Sequence, residues 1–96
     1  MRRPTSFKFR LYVAGDTQNS IIAFANLSAL CEASLPKHHT IEVVDVLHEP
    51  KRALADGIFM TPTLVKLAPG IVQKIVGTLK ESDRVLEVLG LRTLTS

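Results

Sequence analysis

Apolar and polar residues alternate over residues 7–13, and the spacing of apolar residues then lengthens to that of a helix. Strict alternation is typical of a strand. After this strand, apolar residues recur every three or four positions, which predicts a helix capped by Thr17 or Asn19 and ended by Pro36. The residues expected on the buried stripe of this helix are Ile21, Phe24, Leu27, Cys31 and Leu35.

The second half of the chain carries weaker signals for shorter elements. Residues 41–46 are rich in β-formers, and a strand, a helix and a second strand in this order imply a right-handed parallel crossover. Pro50 opens a short helix through Ala55 that stops at Gly57. Residues 64–67 and 71–76 are predicted to form a hairpin.

A final helix is predicted after the hairpin, capped by Ser82 and turning Val85, Leu86 and Leu89 inward. The sequence therefore predicts an α/β fold of the order βαβαββα, in a single domain over residues 1–96. Asp45, at the carboxyl end of the second strand, is expected to cap the loop that follows.

Composition argues against several classes of protein. One cysteine in 96 residues excludes a disulfide framework, and no apolar run approaches the roughly 20 residues of a membrane span. The segment Met1–Pro4 does not lead into the apolar stretch of a signal peptide, so we expect a cytoplasmic protein. The net charge of +3 is mild, and Arg2-Arg3 and Lys51-Arg52 are the only adjacent basic pairs. No nucleic-acid partner is expected, because aromatic residues do not alternate with these charges.

The turn after the first strand is the position of greatest chemical interest. A strand that runs into a small polar turn and a capped helix, with Thr61-Pro62-Thr63 opening a later strand, resembles the thioredoxin-like fold, and Pro62 matches its cis-proline. Redox chemistry there needs two thiols two residues apart, whereas this turn holds Asp16, Thr17, Gln18 and Asn19. The lone Cys31 is expected to be a buried core residue; the alternative is a monothiol oxidoreductase that uses Cys31.

Histidines give no sign of a metal site. His38 and His39 are adjacent and His48 stands alone, without a second cysteine or a carboxylate cluster beside them. We interpret all three as loop residues, and we expect neither a metal nor a cofactor.

Several segments together resemble the KaiB family of bacterial clock proteins, over most of the chain from about Phe7 to Leu91. The residues that carry the resemblance are Leu11-Tyr12-Val13-Ala14-Gly15-Asp16-Thr17, Asn19-Ser20, Val44-Asp45-Val46-Leu47, Thr61-Pro62-Thr63-Leu64, Lys66 and Ile75-Val76-Gly77-Thr78-Leu79. The resemblance implies a protein without catalytic activity that binds a KaiC-like RecA-type ATPase and autokinase and alters its ATPase activity and phosphorylation. It also implies a homo-oligomer, either a dimer or a tetramer, and partner contacts at Lys66, Lys74, Asp16 and Asn19.

KaiB-like proteins have a second, resting fold of the order βαββααβ, and the local signals near the end of this chain are mixed. Residues that favour a strand and residues that favour a helix occur together there. Val85, Val88, Thr93 and Thr95 favour a strand, whereas Ser82, Asp83 and Glu87 favour a helix. Val88 and Gly90 stand where the family usually has glycine and then aspartate, and loss of a helix-interior glycine favours the thioredoxin-like order.

Three further positions differ from the pattern of the family and concern the choice of partner. Members from clocks that include KaiA usually carry a basic residue at the positions of Ile22 and Ala25 and a lysine at the position of Glu42. Because surface charges set partner choice, these changes argue against a KaiA contact.

Overall fold

The computed structural model of the chain describes residues 6–91 and has the element order βαβαββα. The predicted fold class is confirmed, and the order βαββααβ is not the one adopted. Met1–Pro4, which includes Arg2-Arg3, lies outside the described residues, as do Thr93, Thr95 and both ends of the predicted domain. The elements are β1 Phe7–Val13, α1 Gln18–Ser34, β2 His39–Asp45, α2 Pro50–Ala55, β3 Thr63–Ala68, β4 Gln73–Val76 and α3 Ser82–Val88.

The four strands form one mixed sheet in the order β2-β1-β3-β4. β1 runs parallel to β2, as the predicted crossover requires, and antiparallel to β3, which forms the predicted hairpin with β4. α1 and α3 cover one face of the sheet and α2 covers the other. Within residues 6–91, no helix is long and apolar enough to cross a membrane.

The two faces have separate cores because side chains alternate along β1. Phe9 and Leu11 pack under α1 and α3, whereas Tyr12 is fully buried under α2 with Val44 and Val65. Both faces of the central strand are therefore covered, although the sequence shows a clear apolar pattern on only one.

The buried side of α1 differs from the predicted stripe. Ile21 and Phe24 are 58% and 45% exposed, so their predicted burial is wrong. The side chain of Ser20 is buried instead: its hydroxyl accepts hydrogen bonds from the backbone N–H of Ala14 at 3.2 Å and from the Thr17 hydroxyl at 2.8 Å. These bonds tie the start of the helix to the turn and thereby fix which side faces the sheet. The buried residues are Ser20, Ala23, Leu27, Leu30 and Cys31.

Other differences are local. β4 begins at Gln73 rather than at Ile71, and His39 opens β2 rather than lying in a loop. Ser82 is the first residue of α3, and the cap position belongs to Glu81. Val85 on α3 and Leu89 at its end are buried, as predicted.

Candidate partner-binding surface

The β1–α1 turn lies at the end of the sheet where β1 and β2 both finish. The Asp45 carboxylate accepts hydrogen bonds from the backbone N–H of Gly15 at 3.2 Å and of Leu47 at 2.9 Å, which confirms its predicted capping role. Gly15 has a φ of +58°, which suits glycine at this turn. Asp16 and Asn19 are exposed at this turn. The turn offers surface side chains but no nucleophile.

Pro62 lies beside this turn. The peptide bond between Thr61 and Pro62 is cis, as the sequence predicts, and a second cis bond joins Ala68 to Pro69. The register that pairs Tyr12 with Thr63 places Pro62 opposite Val13. The Pro62 carbonyl accepts a hydrogen bond from the backbone N–H of Gly77 at 2.9 Å, so this segment also anchors the loop between β4 and α3.

Cys31 is fully buried in the core beneath α1, as predicted. Burial, with a smaller contribution from the charge of Glu32, raises the pKa of the Cys31 thiol to about 11. A thiol in this state forms little thiolate near neutral pH and lies away from solvent. This is the environment of a structural cysteine.

The histidines make contacts within the chain. The ring of His39 lies with Nδ1 2.7 Å from the Leu35 carbonyl oxygen and with Nε2 4.0 Å from the Glu32 carboxylate. Over residues 6–91, no cluster of three or more His, Cys, Asp or Glu side chains has the arrangement of a metal site.

A cleft of about 590 Å³ lies between β4 and α3. Its apolar floor includes the buried Leu79 and Val85, and the more exposed Val76 and Val88 lie at its rim. The lining residues are Lys74, Ile75, Val76, Gly77, Thr78, Leu79, Lys80, Glu81, Arg84, Val85 and Val88. Two residues singled out in the sequence, Lys74 and Val88, therefore line the same cleft.

Two side-chain hydrogen bonds hold this cleft in shape. Asn26 on α1 donates from its side-chain amide to the Thr78 carbonyl at 2.7 Å, and the Gln73 amide donates to the Val88 carbonyl at 2.8 Å. Leu79 has a φ of +64°, a left-handed conformation that costs a non-glycine residue about 1–2 kcal/mol. Burial of its side chain in the core under α3 offsets this cost.

The two candidate lysines have different surroundings. Lys74 is exposed on β4, and its Nζ lies 3.2 Å from where a Cβ on Gly57 would be. Lys66 is only 5% exposed, whereas a direct partner contact requires an exposed side chain. β3 lies inside the sheet, where Lys66 pairs with Phe9, and its ammonium donates to the Pro69 carbonyl in the hairpin turn. The structure does not bring Lys66 together with Lys74, or either lysine together with Asp16 and Asn19.

Gly90 and Val88 lie at the end of α3. Val88 is the last helical residue rather than an interior one, which reduces the effect of its helix propensity. Gly90 has a φ of +76°, and its backbone N–H donates to the Glu87 carbonyl at 3.0 Å. Glycine at this position ends the helix without steric cost.

A polar network on the α2 face was not expected from the sequence. Arg10 donates to Glu42 and to Asp56, at 2.9 Å in each case, and Arg52 donates to Glu42 at 2.9 Å. The Tyr12 hydroxyl donates to Asp56. The hydrogen bond from Tyr12, followed by the one from Arg10, lowers the pKa of Asp56, and the bonds from Arg10 and Arg52 lower that of Glu42.

Similar sequences place the chain among clock proteins. The KaiB domain profile matches residues 10–91. The chain is 39% identical over 77 residues to the circadian clock protein KaiB3 of Synechocystis sp., covering 80% of this chain and 76% of that protein. It is 41% identical over 81 residues to the circadian clock oscillator protein KaiB of Acaryochloris marina, covering 84% of this chain and 78% of that protein.

Similar solved structures agree with the fold. The N-terminal domain of SasA from Synechococcus elongatus superimposes with a TM-score of 0.68 at 23% identity, covering 96% of this chain and 90% of that one. A mutant thioredoxin from Halobacterium salinarum gives a TM-score of 0.72 at 19% identity, covering 96% of this chain and 80% of that one. Both likenesses show a thioredoxin-like fold. Taken with the profile match and the sequence identities, they lead to the conclusion that the chain belongs to the KaiB family.

Proposed function

We propose that this protein is a non-catalytic adaptor that binds a KaiC-like RecA-type ATPase and alters its ATPase activity and phosphorylation. The observation that carries the proposal is the β4 edge of the sheet, where the exposed Lys74 and Val76 lie beside the β4–α3 cleft and the exposed Val88. Exposed apolar side chains rimmed by charges are typical of a protein-binding surface. Such an adaptor acts in the cytoplasm, as expected from the sequence.

Asp16 and Asn19 are proposed as secondary contacts from the exposed β1–α1 turn. Lys66 contributes by holding the hairpin turn through Pro69, since its side chain is buried. A KaiA-type partner is not part of the proposal. Ile22 and Ala25 leave an uncharged surface on α1, and Glu42 is engaged by Arg10 and Arg52.

The alternative, a monothiol oxidoreductase, receives little support. Cys31 is buried, has a pKa of about 11 and lies more than three turns into α1, far from the turn where thiol chemistry occurs in this fold. Thiol exchange with glutathione or insulin that disappears in Cys31→Ser would favour this alternative and contradict the adaptor.

The proposal is tested by co-elution of the purified protein with its cognate KaiC-like ATPase in buffer that contains ATP. We expect a complex at micromolar concentration and a changed ATPase rate. Lys74→Glu and Val76→Asp should each weaken binding at least tenfold, about 1.4 kcal/mol. Lys51→Glu, an exposed change on α2, is the matched control and should bind normally.

Two results would contradict the adaptor. One is the absence of a complex after prolonged incubation at micromolar concentration. The other is a complex that Lys74→Glu, Val76→Asp and Lys51→Glu affect equally, since that would place the contact away from the cleft. Circular dichroism of each variant confirms that a loss of binding does not reflect loss of folding.

A further inference from the structure

β4 is an edge strand of the sheet. Within residues 6–91 it pairs only with β3, in antiparallel register. One bond fixes which of its backbone groups face β3: the N–H of Gly77 donates to the Pro62 carbonyl at 2.9 Å. In an antiparallel pair, hydrogen-bonded positions alternate along the strand. Ile75 is therefore bonded to β3 in the same way as Gly77, whereas the N–H and C=O groups of Lys74 and Val76 point outward.

The side chains of β4 alternate between two different surroundings. Ile75 packs against the core under α1 and α3, and the Gln73 amide donates to the Val88 carbonyl on α3. Lys74 and Val76 point to the opposite face of the sheet, and both are exposed. A strand added beside β4 would therefore meet the β4–α3 cleft on one face and a lysine and a valine on the other.

The β4–α3 cleft lies on the first of these faces. Its volume of about 590 Å³ is within the roughly 300–1,000 Å³ of pockets that take a small ligand. Leu79 and Val85 form its buried floor, and Val88, which is 39% exposed, lies at its rim. Ile75 lines the cleft from β4, so a residue opposite Ile75 in an added strand would direct its side chain into an apolar space.

Basic side chains predominate around the cleft. Among the described residues that line it, Lys74, Lys80 and Arg84 are basic, and Glu81 is the one acid. All four side chains are exposed. A lysine in an edge strand normally discourages pairing with a further strand. Lys74 therefore disfavours most segments and favours one that places a carboxylate opposite it.

We propose that this edge binds an extended acidic segment of the partner as a fifth strand, antiparallel to β4. The proposal rests on the proposed function, because it describes how the same edge takes the partner protein. The outward N–H and C=O groups of Lys74 and Val76 supply the backbone hydrogen bonds, and side chains on the two faces supply the specificity. Antiparallel pairing is favoured because it is slightly more stable per residue than parallel pairing.

The register predicts the order of residue types in the segment, read from its N-terminus as acidic, apolar, large apolar and acidic. The first residue lies opposite Gly77 on the cleft side, where Lys80 supplies positive charge. The second lies opposite Val76, and the third lies opposite Ile75 with its side chain in the cleft. The fourth lies opposite Lys74, where its carboxylate meets the ammonium.

The capped peptide Thr-Glu-Val-Leu-Glu-Thr is the probe for this site. β4 spans four residues, so the contact is small and we expect a dissociation constant on the order of 100 µM. At a peptide concentration of about 1 mM, the amides of Lys74 and Val76 should exchange with water about tenfold more slowly, measured by NMR. The Ile75 amide should not change, because it is already bonded to β3.

Val76→Pro tests the backbone bonds directly. Proline is tolerated in an edge strand where the N–H faces outward, so this change removes one outward donor and leaves the pairing of β4 with β3 in place. Val76→Pro should abolish binding of the peptide at about 1 mM, because its ring also occupies the space of the added strand. Val76→Ala is the matched control: it keeps the N–H and should weaken binding by at most about fivefold.

A charge exchange tests the register. Lys74→Glu should weaken binding of the peptide, because it places two carboxylates opposite each other. A second peptide, with lysine in place of the second glutamate, should bind Lys74→Glu better than it binds the wild-type protein. Replacing the first glutamate of the peptide instead should not restore binding to Lys74→Glu, since that position lies opposite Gly77.

Three results would overturn strand addition: no binding of the peptide to the wild-type protein at about 1 mM, equal binding to Val76→Pro and Val76→Ala, or slowed exchange at neither Lys74 nor Val76. Circular dichroism shows whether Val76→Pro is folded. If it is not, amide exchange in the wild-type protein and the charge exchange decide the outcome.

Co-elution with the cognate ATPase separates this proposal from the adaptor function. A complex that forms equally well with wild type and with folded Val76→Pro would overturn strand addition and leave the adaptor function standing. Slowed exchange at Lys74 and Val76 in the presence of the peptide, without any complex with the ATPase, would support the strand site and contradict the adaptor function.

Discussion

At the scale of single residues, burial decides what the chemically interesting side chains do. In the sequence, Cys31 stands out as the one thiol and Lys66 as a lysine that carries the family resemblance. The fold places Cys31 in the core and satisfies the Lys66 ammonium with a backbone carbonyl. Both side chains are buried in the folded protein, although residue type alone suggests reactivity for one and a partner contact for the other.

Cys31 should react slowly with thiol reagents in the folded protein. A rise in its pKa from about 9 to about 11 lowers the thiolate fraction at pH 8 roughly 100-fold, and burial slows access further. Labelling by a chromogenic disulfide, with and without urea, measures the difference, and Cys31→Ala is the blank. Equal rates in both conditions would contradict the burial of this thiol.

At the scale of elements, the local turn chemistry controls where helices begin, end and face. Ser20 and Thr17 set the orientation of α1 through hydrogen bonds at the β1–α1 turn. At the other end of the chain, Gly90 ends α3 with a left-handed backbone. The conformation of residues 82–91 thus depends more on Gly90 than on Val88, which sits at the last helical position.

Val88→Gly with Gly90→Asp should destabilise α3. Replacing Val88 by glycine lowers helix propensity at a cost of about 0.5 kcal/mol, and the cost is smaller at a helix end. Replacing Gly90 places a side chain at a φ of +76°, and this backbone conformation costs about 1 kcal/mol. A combined shift near 1.4 kcal/mol changes a two-state ratio about tenfold. If a resting fold of order βαββααβ competes, its population should rise and binding of the ATPase should slow.

Amide NMR over Ser82 to Leu91 measures this effect. The single variant Val88→Ala is the matched control, because alanine adds no helix penalty at the last helical position. It should retain the helical shifts of wild type. Unchanged helical shifts and binding kinetics in the double variant would show that these two positions do not bias the conformation of the segment.

At the scale of the whole molecule, β1 links two cores and the polar network beneath α2. Tyr12 is fully buried, and its hydroxyl reaches Asp56, which also binds Arg10. Hydrogen bonds to charged groups contribute about 1.5–3 kcal/mol. This network therefore ties α2 to the centre of the sheet and makes the stability of the fold depend on pH.

The free energy of unfolding should fall in acid. Because the pKa of Asp56 is lowered in the folded state, its contribution is present above its unfolded pKa of about 3.9 and is lost as the pH drops through the folded value. The free energy of unfolding, measured with urea from pH 7 to pH 2, should depend less steeply on pH for Asp56→Asn than for wild type.

Tyr12→Phe, which keeps the ring and removes the hydroxyl, should cost about 1.5 kcal/mol at pH 7 and less in acid. Glu87→Gln, an exposed change on α3, is the control for a general effect of charge. A pH profile of Asp56→Asn that matches wild type would contradict the role of this carboxylate.

The sequence by itself determined the order of the elements and the family. Alternation over residues 7–13, the helical spacing after Asn19, and the turn residues around Pro50, Pro62 and Ser82 are local signals, and local signals fix element type. The capping role of Asp45 and the burial of Cys31 also followed from position along the chain.

Only the tertiary structure decided which surfaces remain open and which polar groups meet. The exposure of Ile21 and Phe24, the burial of Lys66 and the pairing of Tyr12 with Asp56 depend on contacts between residues distant in sequence. The β4–α3 cleft is likewise formed by segments that Asn26 and Pro62 hold from elsewhere in the chain. The periodicity of apolar residues predicts the spacing of the buried residues on a helix. Which side of the helix is buried depends on the elements that pack against it.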